Sequence, residues 1–567
     1  MVNLLLHPAS PYLALTISCW ITYCYVIFRG GFVSDDLMGI AEYDGKLQGF
    51  EYGMISRWVR YHLCGGNFPS KHKFPNGQPV PTGKIPARHH TLSVVVFTLS
   101  VLSTYYFLQA IVGPKVAFLA CLLFAVHPVV TQGVAWISGL GYPLSLLWIT
   151  LSLNLLGYYY SFTAPSTTIT CAVFLGFLLI QFLAINALFV ALVSFPILLF
   201  MGYYPFAILA ILISIVQGAQ IVRATIKLRK DEFEKQAMGG STFIKPRKFI
   251  VAAKTFLYYI IHSLFPSRMG LYHKWGYHYG SDVERESIFF FLGLLAAGGV
   301  VTWFFLTPII AIKLGLLWFS CFIFIFLNWI TIQQFVTERY LMIPVIGICL
   351  IVSYFLQDYI YIYTFILGLA LCRTWLHLPT YDDELRFYLS NTWNFKNSEV
   401  AYGNLGVTRI RIGQVGAALD CWHEAIHHNP DYDVPYYNIY SHYKSNALFQ
   451  VQRGNFQGAT DLLKQAHPYL VKCVACKVCH FKEQWTKELV EVTSWINTPI
   501  LLVVNEKTRI TQLRDSLQKR LSELKDPKNP VEIQDITSSI TDASKQLESI
   551  ERMLESQGVK PVENPKP

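Results

Sequence analysis

Apolar runs of spanning length follow one another from the N-terminus to about residue 375, and polar and charged positions dominate from there onward. A helix needs roughly 20 apolar residues to cross the hydrocarbon core, and on that measure we count about eleven spans. The predicted spans cover residues 11–28, 91–111, 116–133, 142–160, 168–185, 187–201, 203–220, 287–306, 308–331, 340–357 and 359–375. The pattern therefore predicts an all-α polytopic membrane protein with a soluble helical tail.

Two large polar loops interrupt the spans, one from Arg29 to His90 and the other from Gln217 to about Glu286. The second contains KPRKFIVAAKTFLYYIIHSLFPS, whose cationic start and aromatic body predict a helix lying at the membrane interface. An extra short span is the alternative. If that segment is an interfacial helix, the number of spans between them places both loops, the turn at His127 and the tail on the same side of the membrane. Because basic residues crowd both loops, the positive-inside rule favours the cytoplasm for that side.

The first part of the tail has the residue spacing of paired helices. From Ser398 to about Tyr469, small and large residues recur as in two tetratricopeptide repeats. The first and clearer repeat depends on Leu405, Gly406, Gly413, Ala417, Ala418, Trp422, Ala425, Ile426 and Pro430. At least three such units are normally needed for independent stability, so we expect these two to pack against neighbouring helices.

The end of the tail predicts a helical hairpin. Apolar residues recur at three and four positions from Ile510 to Leu524 and again from Ile533 to Leu554, with DPKNP between the two runs. We therefore divide the chain into three domains. They are a membrane domain (1–376), a tetratricopeptide-repeat-like helical domain (377–484), and a helical hairpin with a disordered end (485–567).

Composition and charge agree with a membrane location. Charged residues make up 14% of the chain and hydrophobic residues 53%, whereas a soluble domain usually has about 25% charged residues. The net charge of +10 comes mainly from the polar loops beside the membrane, which suits contact with lipid phosphates. No sequence pattern of a nucleic-acid-binding module is present, so we expect no nucleic-acid partner. The apolar N-terminus is interpreted as a retained first span rather than a signal peptide.

Adjacent carboxylates at Asp35 and Asp36 follow the first span, within GGFVSDDLMGI. Two neighbouring carboxylates at a membrane edge raise the pKa of one partner, because desolvation and like charge both oppose ionisation. Such a group could take a proton from an acceptor hydroxyl or hold a divalent metal beside a phosphate. A simple polar helix cap is the alternative.

Two further segments carry polar residues between spans. His127 lies in FAVHPVVTQGVAWISG, where a His-Pro turn with a capping imidazole is the alternative to a functional role. Glu338 and Arg339 lie in QQFVTERYLMIPVIG, on the same predicted side. An arginine can bind phosphate through two nitrogens while a carboxylate holds it in place, and a structural ion pair is the alternative.

Taken in order along the chain, these segments resemble a known family. The segments that carry the likeness are GGFVSDD, RHHTLSVVVFTLSV, LLFAVHPVVTQGVAWISG and VTERYLMIPVIGICL, followed by the repeats. Together they resemble the membrane O-mannosyltransferases with tetratricopeptide repeats, including their bacterial relatives. These belong with the type-C glycosyltransferases that use polyprenyl-phosphate sugars. The likeness extends to about Tyr469 and leaves out the hairpin.

The resemblance implies roles for the candidate residues. Asp35 or Asp36 would activate the acceptor hydroxyl, and Arg339, with Arg247 and Lys248, would bind the lipid-linked phosphate. The sugar leaves with a lipid phosphate, so cations must stabilise the departing charge. Basic loops on the non-cytoplasmic side would follow, which places the loops and the tail in the periplasm of a bacterial inner membrane or in the endoplasmic reticulum lumen.

The chain departs from the family at several charged positions. Relatives carry a carboxylate where this chain has Gln132, and an arginine and an acidic residue where it has Leu140 and Tyr142. A Lys-Glu pair at the fifth-to-sixth span junction is replaced by Asn186 and Ala187. Either the donor or the acceptor has changed, or activity has been lost.

The segment VKCVACKVCH brings together Cys473, Cys476, Cys479 and His480. Overlapping C-x-x-C spacings are compatible with zinc or a disulfide, and C-x-x-C-H is also the attachment pattern of c-type haem. Thiols packed within a helix are the remaining interpretation.

Three functions remain open at this stage. The first is a glycosyltransferase that moves a sugar such as mannose from a polyprenyl-phosphate carrier to a Ser or Thr hydroxyl, with the acceptor or a partner protein on the repeats. The second is a scaffold that keeps the fold, has lost catalysis and recruits partners through its helices. A transporter ranks third, because the spans show no internal repeat.

Overall fold

The computed structural model describes residues 9–36, 60, 62–64, 86–163, 165–184, 190–213, 215, 246–271, 287–327, 336–476, 481–523 and 530–556. Every regular element within these ranges is a helix, so the all-α prediction is confirmed for the described part of the chain. The chain forms two compact units, Met1–Gln414 and Val415–Pro567. The predicted domain limits at residues 376 and 484 stay predictions.

The first unit contains fifteen described α-helices and four short 3₁₀ turns that the site uses. The α-helices are α1 (Ser10–Arg29), α2 (Pro86–Val112), α3 (Pro114–Val126), α4 (Thr131–Ala135), α5 (Gly141–Tyr160), α6 (Thr167–Ala184), α7 (Val190–Phe200), α8 (Tyr204–Ile213), α9 (Pro246–Leu264), α10 (Ser287–Leu306), α11 (Ile310–Phe324), α12 (Val345–Leu356), α13 (Ile360–His377), α14 (Glu384–Asn394) and α15 (Glu399–Arg411). The turns are η1 (Pro128–Val130), η2 (Ile137–Leu140), η3 (Glu338–Leu341) and η4 (Leu378–Tyr381).

Five of the described helical stretches are long and apolar enough to cross a membrane: α1, α2, Ile137–Tyr160, Ile288–Leu306 and Ile360–Tyr381. A sixth results if α3 and the stretch Pro128–Ala135, which bend by 58° at His127, form one broken span. Further apolar helices are shorter, among them α8, α11 and α12. These helices support an integral membrane protein, and the count of eleven spans stays a prediction.

Close helix packing explains how the spans form a bundle. Helix α2 packs against α1, α3 and α5, and α12 packs against α3 and α11. Gly315 in α11 faces Gly347 in α12, and a Cβ atom on either residue would collide with the carbonyl oxygen of the other. Small residues allow such a backbone-to-backbone approach, which is the usual way for membrane helices to associate.

The second unit is a run of helices that pack each against the next. They are α16 (Val415–His428), α17 (Asp433–Gln452), α18 (Phe456–Ala475), α19 (Lys482–Asn497), α20 (Pro499–Glu523) and α21 (Pro530–Ser556). One apolar cluster joins them, from Tyr440 and Leu463 through Trp485 to Ile550. Helices α20 and α21 pack together where the hairpin is predicted.

The predicted repeats map onto these helices only in part. Trp422 is buried and Tyr437 is half-buried, and α17 packs on α18 as a helix pair. The first predicted repeat is divided by the limit between the two units at Gln414. The tetratricopeptide assignment therefore stays a prediction, while the helical character of this region is established for its described residues.

Candidate functional site

The two adjacent carboxylates have different environments. Helix α1 ends at Arg29, and the chain continues to Ser34, whose φ of +53° is unusual for a residue other than glycine. This turn sends the two aspartates in different directions. The side chain of Asp35 is exposed, whereas Asp36 is fully buried.

Asp36 is held by three hydrogen bonds. Its Oδ1 accepts from the backbone N–H of Ser138 at 2.7 Å and from the Ser138 hydroxyl at 2.5 Å, and its Oδ2 accepts from the Val33 N–H at 3.1 Å. Burial raises the pKa of Asp36 to about 7, although these hydrogen bonds and the charge of Arg60 lower it. The carboxylate thus fastens the segment after α1 to η2, 102 residues later in the chain.

Arg60, a residue of the first large loop, is buried beside the same turn. Its guanidinium donates to the Ile137 carbonyl at 2.5 Å, to the Ser93 hydroxyl at 3.1 Å and to the His89 carbonyl at 3.4 Å. Burial lowers the pKa of Arg60 to about 10, and the charge of Asp36 opposes that shift. The Ile137 carbonyl and the Ser138 N–H belong to one peptide group, so Arg60 and Asp36 bind its two ends.

Trp136 links this turn to Arg339. The indole N–H of Trp136 donates to the Val33 carbonyl at 3.2 Å. The guanidinium carbon of Arg339 lies 4.9 Å from the centre of the Trp136 ring and 5.4 Å from that of Tyr340. Both distances are within the range of a cation–π interaction, which fixes the position of the cation.

Arg339 is half-buried and keeps its charge. Burial opposes that charge, but the electrostatic influence of Tyr142, Tyr340 and Asp35 raises the pKa of Arg339 above its usual value. Asp35 is thus close enough to act on Arg339. A carboxylate and a cation therefore lie at one site.

Gln132 occupies the position where the resemblance places a carboxylate. Its side-chain oxygen accepts from the Thr337 hydroxyl at 2.6 Å and from the Arg339 backbone N–H at 2.9 Å. An amide oxygen satisfies both donors as a carboxylate would, without the charge. Gln132 therefore positions the backbone of η3 and brings no negative charge to Arg339.

Glu338 holds a different segment from the one expected. Its Oε1 accepts from the Gly270 N–H at 2.7 Å and lies 3.6 Å from Nε2 of His262. His127 is close to the same helix end, within the electrostatic range of His262. Glu338 thus fastens the loop that follows α9.

Three other side chains secure that loop, which comprises residues 265–271. Arg373 donates to the carbonyls of Pro266 at 3.2 Å and Ser267 at 3.1 Å. Asn391 accepts from the Leu271 N–H at 2.6 Å, and Asn394 donates to the Met269 carbonyl at 2.8 Å. The loop is therefore held through several of its backbone groups.

The predicted site residues of the first unit lie together where their side chains are described. Asp35, Asp36, His127, Glu338 and Arg339 all lie at or beside the turns that meet at one end of the first unit, where η1 and α4 contact η3. Arg247 and Lys248 begin α9, and their side chains lie outside the described residues. Of the neutral positions, Tyr142 is close to Arg339, and Asn186 and Ala187 lie outside the described residues.

The cysteine cluster belongs to the second unit. Cys473 and Cys476 are buried at the end of α18, while Cys479 and His480 lie outside the described residues. Among the described residues, no three His, Cys, Asp or Glu side chains gather as metal ligands do. The zinc, disulfide and haem interpretations stay untested predictions.

Sequence reasoning missed Arg60 and Ser138 as partners of the aspartate pair. Arg60 is one of several cations in its loop, and nothing in the sequence distinguishes it from Arg57 or Lys71.

Comparison of the chain with family models, with curated proteins and with solved structures finds no match.

Proposed function

We propose that the first unit is a membrane glycosyltransferase that moves a sugar from a polyprenyl-phosphate carrier to a Ser or Thr hydroxyl of a protein. The observation that carries the proposal is the arrangement of Asp35 and Arg339. An exposed carboxylate acts electrostatically on a half-buried guanidinium that two aromatic rings position. Group transfer from a phosphate needs such a base and such a cation close together.

The chain's own groups suffice for a balanced reaction. The acceptor oxygen attacks the anomeric carbon of the sugar, and the bond between that carbon and the phosphate oxygen breaks. The phosphate keeps the electron pair, and Arg339 stabilises the added negative charge. Asp35 takes the proton from the acceptor hydroxyl. A divalent metal beside Asp35 stays a prediction, and no step here passes through it.

The direct test is transfer by the purified full-length protein in lipid nanodiscs, with polyprenyl-phosphate mannose and Ser/Thr peptides as substrates. Asp35→Asn keeps the shape of the side chain and removes the base, so we expect a loss of about 10²–10⁴-fold in transfer. Asp383→Asn, which changes another exposed carboxylate of the same unit, serves as the control and should keep full activity. Full activity of Asp35→Asn would overturn the proposed mechanism.

The second candidate is a non-catalytic scaffold, and one observation favours it. Aromatic rings of Trp136 and Tyr340 lie against Arg339, and neutral Gln132 and Tyr142 stand near it where the resemblance places charged residues. Its test is the same assay. Wild-type protein that transfers no sugar from any polyprenyl-phosphate donor would favour the scaffold.

The remaining parts of the proposal concern location and partners. The helices of the second unit would hold an acceptor or partner protein, as stacked helices do elsewhere. The membrane would be a bacterial inner membrane or the endoplasmic reticulum, with the tail in the periplasm or the lumen. Protease protection of the tail in intact membrane vesicles tests that orientation.

A further inference from the structure

We propose that Asp36 and Arg60 are positioning residues that fix the catalytic Asp35 relative to Arg339. They do so by binding the two ends of the Ile137–Ser138 peptide, an arrangement that we call the peptide clamp. The inference rests on the proposed function and deepens it, because it gives the second aspartate of the pair a role that differs from that of the first.

The orientation of the peptide group suits the two charges. Its N–H points to the Asp36 carboxylate at 2.7 Å, and its C=O points to the Arg60 guanidinium at 2.5 Å. A peptide unit has a dipole of about 3.5 D, with its positive end at the N–H. Opposite charges at its two ends are therefore both favourable, and each also compensates the burial of the other.

The clamp determines the backbone around Asp35. Val33 donates its N–H to Asp36 and accepts from the Trp136 indole through its carbonyl. Ser34, at φ +53°, also lies within hydrogen-bond distance of Tyr388, whose hydroxyl is 3.3 Å from the Ser34 hydroxyl. A positive φ at a serine persists only where the surrounding contacts impose it. Asp35 thus lies between two residues that the clamp and its neighbours hold fixed.

The same clamp places the aromatic support of Arg339. Trp136 immediately precedes the Ile137–Ser138 peptide, and its ring lies against the Arg339 guanidinium. The carboxylate of Asp35 and the cation of Arg339 therefore have their relative position set through one short stretch of backbone. Displacements of about 1 Å in such a geometry can lower a rate by about 10²-fold without changing which groups are present.

The experiment is a double-mutant cycle in the full-length protein with Asp36→Asn, Arg60→Gln and the double variant, and Asp358→Asn as control. Asp358 is exposed and pairs with Lys115, away from the clamp. We expect each single variant to lower kcat by about 10- to 100-fold while the donor KM changes less than about threefold, because neither side chain is placed against the donor. The double variant should lose no more than the worse single variant, since both act on one peptide.

Three outcomes would overturn the inference: unchanged kcat in Asp36→Asn, a loss confined to KM, or multiplicative losses in the double variant. If Asp36→Asn does not fold, Ser138→Ala is the milder variant, because it removes only one of the three donors to Asp36. It should give a smaller loss of kcat in a folded protein, and an unchanged kcat there would also count against the clamp.

Thermal unfolding separates this inference from the proposed function. The melting temperatures of the wild-type protein, the two single variants and the double variant should show the same coupling between residues 36 and 60. If wild-type protein transfers no sugar, the proposed function fails, and so does the positioning role, even where the cycle shows coupling. Transfer by wild-type protein without any coupling leaves the function intact and overturns the clamp.

Discussion

Asp36 and Arg60 bind opposite ends of one peptide group, and this separates the roles of the two adjacent aspartates. The Ile137–Ser138 peptide donates to Asp36 and accepts from Arg60. Asp36 is thereby held against the backbone of η2, while Asp35 is exposed and acts electrostatically on Arg339. A pair of carboxylates that look equivalent in the sequence thus divides into one that is buried and bound to the backbone and one that is exposed.

Stability should depend on pH through Asp36. Burial raises its pKa to about 7 in the folded protein, whereas the pKa of an aspartate in the unfolded chain is about 3.9. The folded state therefore binds the proton more tightly, and its stabilisation is complete below about pH 4 and is lost as pH rises through about 7. From this carboxyl alone we expect a loss of about 3 kcal/mol in the free energy of unfolding between pH 5 and 8.

The measurement is the melting temperature of the protein in detergent from pH 5 to 8, with Asp36→Asn as comparison. Arg60 and Tyr381 act on Asp36, Arg60 and His90 act on each other, and all of these groups are present in both proteins. The variant lacks only the titrating carboxyl, so the stability of the wild-type protein relative to the variant should fall from pH 5 to 8. Parallel curves for the two proteins would contradict the prediction.

The loop of residues 265–271 should loosen when its carboxylate partner is removed. Glu338→Ala leaves the buried Gly270 N–H without its acceptor, which costs about 1–3 kcal/mol. Arg268 is exposed in this loop, so trypsin cleavage after Arg268 should become faster. Glu338→Gln keeps an acceptor oxygen and serves as the control. Equal cleavage rates in the two variants would show that the hydrogen bond does not secure the loop.

The sequence was sufficient for the helices but not for the contacts between them. The apolar periodicity located α1, α2, α5, α10 and α13 to within a few residues, because a span must be long and apolar. It could not show which aspartate is buried, since that depends on Ser138, a neutral residue 102 positions away. Charge patterning likewise drew attention to Arg339 as the partner of Glu338 and could not show that the Glu338 carboxylate accepts from the Gly270 N–H, 68 positions away.

The second unit should depend on Glu488, which joins α17 to α19. Its carboxylate accepts from the hydroxyls of Tyr440 at 2.7 Å and Tyr437 at 3.4 Å, and it pairs with Lys444. Glu488→Ala leaves a partly buried ammonium without its carboxylate, and we expect a loss of about 1–3 kcal/mol.

Hydrogen exchange of the full-length protein measures that loss in α17 and α19. Asp461→Asn is the matched control, because the Asp461–Lys464 pair is exposed at the surface. Such pairs contribute about 0–1 kcal/mol, so exchange in the control should scarcely change. Lys444→Met in the Glu488→Ala background should restore part of the protection, and a further loss there would count against the buried pair.

Binding of polyprenyl phosphate without a sugar should respond in opposite directions to changes at Asp35 and Arg339. The guanidinium that Trp136 and Tyr340 position would bind the phosphate, so Arg339→Ala should weaken binding by about 10- to 100-fold. Arg339→Lys keeps the charge but loses the planar group that lies against the rings. Its affinity should therefore lie between those of the wild-type protein and of Arg339→Ala.

Asp35 acts electrostatically on the same guanidinium, so its negative charge repels a bound phosphate. Asp35→Asn should therefore bind polyprenyl phosphate about 3- to 10-fold more tightly, as expected for removal of one like charge at an effective dielectric constant near about 20, while it loses transfer. Titration of each variant in nanodiscs with the lipid phosphate measures the four affinities. If the aromatic side chains around Arg339 leave no room for a phosphate, all four proteins would show one weak affinity, and that result would favour the scaffold over the enzyme.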